Sequence, residues 1–131
     1  MIKMTITLTI LAVALAVLSG IAKAICDLSE EGKLKFNPEN YWLKSKSWRS
    51  KYKQNNPILG AKFLGSTTVF VALTDAWHLF NLVQYYSTVG AFIFVGYLIA
   101  AGSKCHLLLL LLVPLQRVVF HIFYTYKILK K

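Results

Sequence analysis

Apolar residues in this chain gather into long blocks. They neither alternate along short strands nor repeat in heptads. The first block runs from Met4 to Ala22, with Lys3 before it and Lys23 after it. A helix over those residues would be about 30 Å long, the hydrocarbon thickness of a bilayer. From Ser66 the chain is apolar almost to its end, and three further spans fit there: 66–86, 88–102 and 105–126. Ser87 with Gly90, and then Gly102-Ser103-Lys104, supply the expected tight connections. The fold class expected is all-α, a helical integral membrane protein with four candidate transmembrane segments. Pro114 falls inside the fourth and is expected to kink it. The alternative ends that span near Val113 and lays the remainder on the surface as an amphipathic helix, since Arg117, His121, Tyr124 and Lys131 recur at helical spacing.

Between these blocks lies one substantial polar stretch. Asn37-Pro38-Glu39-Asn40 reads as a helix start: Asn37 can cap, Pro38 suits the first helical position, and Glu39 favours the positive end of the helix dipole. The predicted helix runs to about Lys53 and stops in the turn-forming Gln54-Asn55-Asn56-Pro57. On it Tyr41, Ser45, Trp48 and Tyr52 would share one face, with cations around them, giving an amphipathic basic-aromatic helix. The pattern thus divides the chain into an N-terminal anchor over 1–24, a juxtamembrane segment over 25–65 and a helical transmembrane domain over 66–131. A cleaved signal peptide is the rival reading of the first block, because Ala22-Lys23-Ala24 fits a cleavage site. The block is longer than the usual signal core, which favours a retained anchor.

Composition sharpens this picture. Of 131 residues, 56% are hydrophobic and 15% charged, which excludes a disordered chain and a collagen-like fibre. Two cysteines are too few for a disulfide-stapled mini-domain. The net charge is +10, and nine of the fifteen basic residues lie in 23–65. With four spans, ten cations fall on the side of the polar stretch and four on the other, so the positive-inside rule makes that stretch cytoplasmic. This solution leaves the basic tail outside, its one awkward feature. Cys26 and Cys105 then share a side, so their redox state reports topology.

Candidate chemistry lies in two places. Trp42, Lys44, Lys46, Trp48, Arg49, Lys51, Tyr52 and Lys53 combine headgroup-seeking aromatics with cations that an anionic lipid surface attracts. Membrane lipids are therefore the expected partner. Nucleic acid is disfavoured because no recognised module accompanies the charge. The second place is the apolar block holding Asp75, His78 and Asn81, with Arg117 and His121 as partners from a later segment. Asp75 and His78 are three residues apart and meet on one helical face. An ionisable residue at membrane depth is a functional-site candidate by default, here a polar clasp between helices, proton handling or enzyme chemistry. His78, His106 and His121 leave a haem or metal site open, but the chain has no His-x-x-x-His, Glu-x-x-His or C-x-x-C-H pattern, so no cofactor is assigned. Hydrolase and NTPase motifs are absent as well.

Two stretches, Asn37-Pro38-Glu39-Asn40-Tyr41-Trp42 with Ser47-Trp48-Arg49-Ser50-Lys51-Tyr52-Lys53, and Ser66-Thr67-Thr68-Val69-Phe70-Val71 with Leu73-Thr74-Asp75-Ala76-Trp77-His78-Leu79-Phe80, resemble a group of small uncharacterised membrane proteins of bacterial and phage genomes. The resemblance covers about a third of the chain and implies a small multi-pass protein of the bacterial inner membrane, with no activity to transfer. The reading that follows is a non-enzymatic accessory or structural membrane protein, with homo-oligomerisation through Gly90, Gly96 and Gly102 as a further expectation. Its rivals are a membrane-embedded enzyme or haem or metal protein using Asp75 and His78, and a holin-like or ion-conducting protein lined by Asp75, His78, Asn81 and Gln84.

Overall fold

The computed structural model describes residues 2–34, 36–102 and 106–129. The described chain is all-α and contains no strand; Tyr52 and Ala61 make an isolated antiparallel bridge. Three long helices dominate: α1 (Ile2–Glu30), α4 (Ala76–Ala100) and α5 (His106–Leu129). Two single-turn helices, α2 (Glu39–Trp42) and α3 (Lys44–Ser47), lie between α1 and α4, followed by 3-10 turns. The chain divides into two units, one made of residues 1–22 with 83–131 and the other of residues 23–82.

The four expected spans are corrected to two. α1 and α4 are long and apolar enough to cross a membrane, while α5 contains the shorter apolar stretch Leu110–Tyr126. The second and third expected spans have merged, and their first ten residues have left the helix. Ser87 does not turn the chain; it is buried within α4, and the Thr88 hydroxyl donates to the Gln84 carbonyl four residues back at 2.9 Å. A hydroxyl satisfied in this way leaves the backbone ladder free to continue. Residues 66–75 stay outside α4: Gly65 turns the chain at φ +80°, the Phe70 amide bonds back to Gly65 and the Leu73 amide to Phe70, and Asp75 caps the helix that follows. Pro114 does not end α5, which continues through it.

Helix ends follow local chemistry. α1 stops in a Schellman arrangement: Gly32, at φ +71°, donates to the Ser29 carbonyl at 3.3 Å, and the Lys33 amide reaches Leu28 at 2.9 Å. At the end of α4, Gly102, at φ +78°, donates to the Ile99 carbonyl at 2.9 Å.

The predicted helix over 38–53 is also corrected. Leu43 is extended and separates α2 from α3. A continuous helix would need the carbonyls of Asn40 and Trp42 for backbone amides four residues on. Instead the Ser50 hydroxyl takes the Asn40 carbonyl at 2.9 Å, and the Ser29 hydroxyl takes that of Trp42 at 2.5 Å. Tyr41, Ser45, Trp48 and Tyr52 consequently do not form one helical face.

In the first unit the core is made of small residues. Ala12, Ala16 and Ala91 are buried with Val95 and Leu112, and Leu15, Phe94 and Ile99 pack around them. Gly20 continues the four-residue spacing of Ala12 and Ala16 along α1. A methyl group added there would meet the Gln116 carbonyl oxygen of α5 at 2.6 Å, so only glycine permits this approach. Ala-x-x-x-Ala-x-x-x-Gly is the small-residue spacing that lets helices pack closely in membranes.

Candidate functional site

The second unit holds the sequence-predicted centre. Asp75 is fully buried and immediately precedes α4, whose first turn it caps: its Oδ1 accepts from the His78 backbone amide at 2.9 Å. Its other oxygen, Oδ2, meets His78 Nδ1 at 2.7 Å, while the Thr74 hydroxyl lies 3.4 Å from the same oxygen. This is a side-chain N-cap in which the histidine at the third helical position also holds the capping carboxylate through its ring. The carboxylate thus serves orphan donors at a helix start, and the positive end of the helix dipole faces it. Tyr41 lies in the same unit; burial, and then the Asp75 charge, push its phenol above the ordinary range.

Asn81 is exposed on α4, three residues beyond His78. Arg117 and His121 are exposed on α5, in the first unit, and the His121 ring packs at 5.2 Å from Phe120. Asp75 and His78 are therefore brought together, while Arg117 and His121 belong to the other unit. The side chain of His106, and Cys105 itself, lie outside the described residues. Among the described residues, no group of three histidine, cysteine or acidic side chains is placed to hold a metal ion. Cys26 is buried and its thiol donates to the Trp77 carbonyl at 3.6 Å.

The basic-aromatic residues split into two sets. Trp42 and Lys44 face inward. Trp42 packs on Phe36 and Phe80 at ring distances of 5.1 and 6.2 Å, and Lys44 Nζ pairs with Glu30 at 2.6 Å, 3.9 Å from the centre of the Trp77 ring. Lys46, Trp48, Arg49 and Lys53 remain exposed, with Lys51 and Tyr52 half-buried beside them. Lys46 pairs with Glu39, whose carboxyl is held below its ordinary value by that hydrogen bond and by the adjacent cation. Trp48 meets Tyr52 edge-on at 6.4 Å.

Close by, the turns over 57–73 expose large apolar side chains, with Ile58 at 91% and Leu64 at 94% of their free surface. Their backbone is nonetheless knitted together. The buried Ser66 hydroxyl donates to the Lys51 carbonyl at 2.8 Å and accepts from the Lys62 amide at 3.1 Å. Amide–carbonyl bonds then close the turns, among them Ser66 to Phe63, Phe70 to Gly65 and Leu73 to Phe70.

A second polar centre, missed from sequence, joins the three helices of the first unit. Ser19 of α1 is fully buried, and its hydroxyl lies 2.6 Å from that of Thr88 and 3.1 Å from the Gln84 carbonyl, both on α4. The Gln116 amide of α5 donates to Ser19 and, at 3.1 Å, to Thr88. Two amide hydrogens meet two hydroxyls, which can in turn donate to one carbonyl. The legible signal was the small-residue spacing over Ala12, Ala16 and Gly20, which marks the face of α1 where Ser19 also sits.

Compared with protein families, curated proteins and solved structures, the chain matches none.

Proposed function

We propose that this chain is a non-enzymatic integral membrane protein of accessory or structural role, set in a bacterial inner membrane with its residue 23–82 unit on the cytoplasmic lipid surface. One observation carries this reading: the first unit exposes many large apolar side chains around a narrow core. Ala12, Ala16, Ser19, Gly20, Ser87 and Ala91 are buried there with Val95, Leu98 and Leu112, while Ile6, Ile10, Phe92, Ile93, Leu110 and Ile122 point outward. The core helix of a water-soluble protein would be mostly buried, but only 22% of the apolar window of α1 and of α4 is covered by the chain. Lipid tails are as apolar as leucine, so in a bilayer close packing of small residues and hydrogen bonds can hold the helices together.

Merging two expected spans into α4 changes the parity of the chain. If the shorter apolar stretch Leu110–Tyr126 of α5 crosses as well as α1 and α4, residues 23–75 and the tail lie on one side. The nine cations of 23–65 and Lys127, Lys130 and Lys131 make twelve there, against Lys3 and Lys104 opposite. The four-span solution stranded the basic tail; three crossings remove that conflict. On the cytoplasmic face, exposed Trp48, Arg49, Lys46 and Lys53 meet anionic headgroups, and the apolar turns at Ile58 and Leu64 sit in the interface beside them. Many of the turn amides, among them Ile58, Leu59, Ser66, Thr68, Phe70 and Leu73, are paired internally, which eases entry into a low-dielectric layer. The resemblance to small multi-pass bacterial proteins points the same way.

The test is extraction and labelling. The chain should stay with membranes in alkaline carbonate and leave in detergent. A membrane-impermeant maleimide should label Cys105 from the periplasmic side in a Cys26→Ser background, and should reach a Ser45→Cys variant lacking both native cysteines only after permeabilisation. Carbonate release would sink the membrane reading. Labelling of both sites from one side would sink the three-crossing topology.

A further inference from the structure

The second unit contains a cleft of about 470 Å³ lined by Asn40, Ser45, Lys46, Arg49, Gln54 and Asn55. In a chain that is 56% hydrophobic, this cleft has no apolar side chain and no carboxylate in its wall. The walls come from α2, α3, the turn after α3 and the 3-10 turn at Lys53–Asn55. They are tied across by the Ser50 hydroxyl, which donates to the Asn40 carbonyl at 2.9 Å, and the Asn55 backbone amide closes its own turn on the Tyr52 carbonyl at 3.2 Å. Gln54 and Asn55 are both held at positive φ, 51° and 58°, a conformation that side chains other than glycine seldom adopt in succession. That conformation places two amide side chains on the cleft wall together.

Arg49 supplies the charge. Its guanidinium lies 5.1 Å from the Trp48 ring, and among the described residues no carboxylate pairs with it. Lys46 adds a second cation, whose charge is partly offset by its ion pair with Glu39. A planar guanidinium fork, an ammonium, three amide side chains and a hydroxyl can donate from several directions, which matches the oxygens of a tetrahedral anion better than a flat carboxylate. The volume falls within the range of small-ligand sites, about 300–1,000 Å³.

We propose that this cleft binds a phosphate group, with Arg49 as the principal ligand, Lys46 as the second cation, and Asn40, Ser45, Gln54 and Asn55 completing the donor set. The phosphate comes from a phospholipid headgroup or from a free phosphate; the lipid form rests on the membrane reading above, while the anion site does not.

The experiment titrates inorganic phosphate into the full chain in nanodiscs of a phosphate-free galactolipid, followed by phosphorus NMR and calorimetry. Saturable binding is expected, with acetate failing to compete. Arg49→Gln should weaken it about tenfold or more, the usual consequence of losing a charge-assisted donor set. Asn55→Gly, which keeps the positive φ and removes only the amide, should weaken it severalfold in a chain that still folds. Lys62→Gln, removing an equal charge from an exposed position outside the cleft, should leave it unchanged. Doping the discs with phosphatidylglycerol distinguishes the sources: displacement of inorganic phosphate supports a headgroup ligand, and an unchanged titration supports a free phosphate. The proposal is overturned by absence of saturable binding, by equal losses in Arg49→Gln and Lys62→Gln, or by acetate competing as well as phosphate. Carbonate extraction reads the membrane hypothesis separately, so either can fail alone.

Discussion

The two units use serine in opposite ways. In the unit of residues 1–22 and 83–131, Ser19 joins three helices, its hydroxyl shared between Thr88, Gln84 and Gln116. In the unit of residues 23–82, Ser29, Ser50 and Ser66 claim the backbone carbonyls of Trp42, Asn40 and Lys51. The first use binds finished helices to one another. The second competes with helix formation and leaves short turns. The same contrast runs through the apolar residues: small ones face inward along α1 and α4, whereas in the turns large ones such as Leu64 project on a framework of polar bonds.

The comparison can be broken most sharply at Gly20. Gly20→Leu forces a side chain where the Gln116 carbonyl already stands, and backbone cannot yield as a side-chain tip can. The expected loss is about 3 kcal/mol or more, beyond the upper end of ordinary overpacking, read as a large fall in thermal midpoint in detergent. An unchanged midpoint would mean that α1 and α5 do not approach there.

Asp75 comes next. Asp75→Ala removes the α4 cap and leaves the His78 amide unpaired, costing about 0.5–2 kcal/mol. Asp75→Asn should stay close to wild type, since asparagine caps as well as aspartate. A cap role is therefore separable from an acid-base role: if Asp75→Asn is as damaging as Asp75→Ala, the carboxylate does more than cap.

Ser19→Ala should cost less, about 0.6 kcal/mol and not above about 1.7, the range for hydrogen bonds between membrane helices. Its effect should shrink in Gln116→Leu, because the two act in one network. Strict additivity in that double-mutant cycle would show that the clasp is not shared.

The smallest effects belong to the exposed parts of the second unit. Leu64→Ser should leave the thermal midpoint within about 0.5 kcal/mol of wild type while weakening association of the turns with lipid, measured as reduced quenching of Trp48 by brominated lipid. The Glu39–Lys46 pair should contribute a slight acid dependence. Glu39 has a lowered pKa in the folded chain, so its contribution is present above the unfolded carboxylate range and is lost as pH falls through the folded value. Glu39→Gln should erase that step and nothing larger.

Reading along the chain, the apolar blocks were visible because a helix of that composition needs no partner to be recognised. So was the turn chemistry at Gln54-Asn55-Asn56-Pro57, where Asn56 Oδ1 accepts from Ile58 at 3.0 Å and closes the turn. The division of 66–102 was not legible. Hydropathy treats Val69 and Val95 alike, although one is exposed in a turn and the other buried in α4. Asp75 drew attention as an expensive charge at membrane depth, yet its position one residue before α4 makes it a cap. The breaks after Trp42 came from Ser29, which is distant in sequence and carries no local signal of its target.

By itself, then, the order of residues determined three things: that the chain is helical, that its apolar surface exceeds what it can cover, and that its positive charge concentrates between the first two long helices. These follow from composition and period, which are additive along a chain. The tertiary structure decided where helices stop, which polar groups find one another, and that four apolar blocks become three helices, two of them long and apolar enough to cross a membrane. Such outcomes depend on which donor reaches a carbonyl first in three dimensions, and no sum over sequence neighbours contains that information.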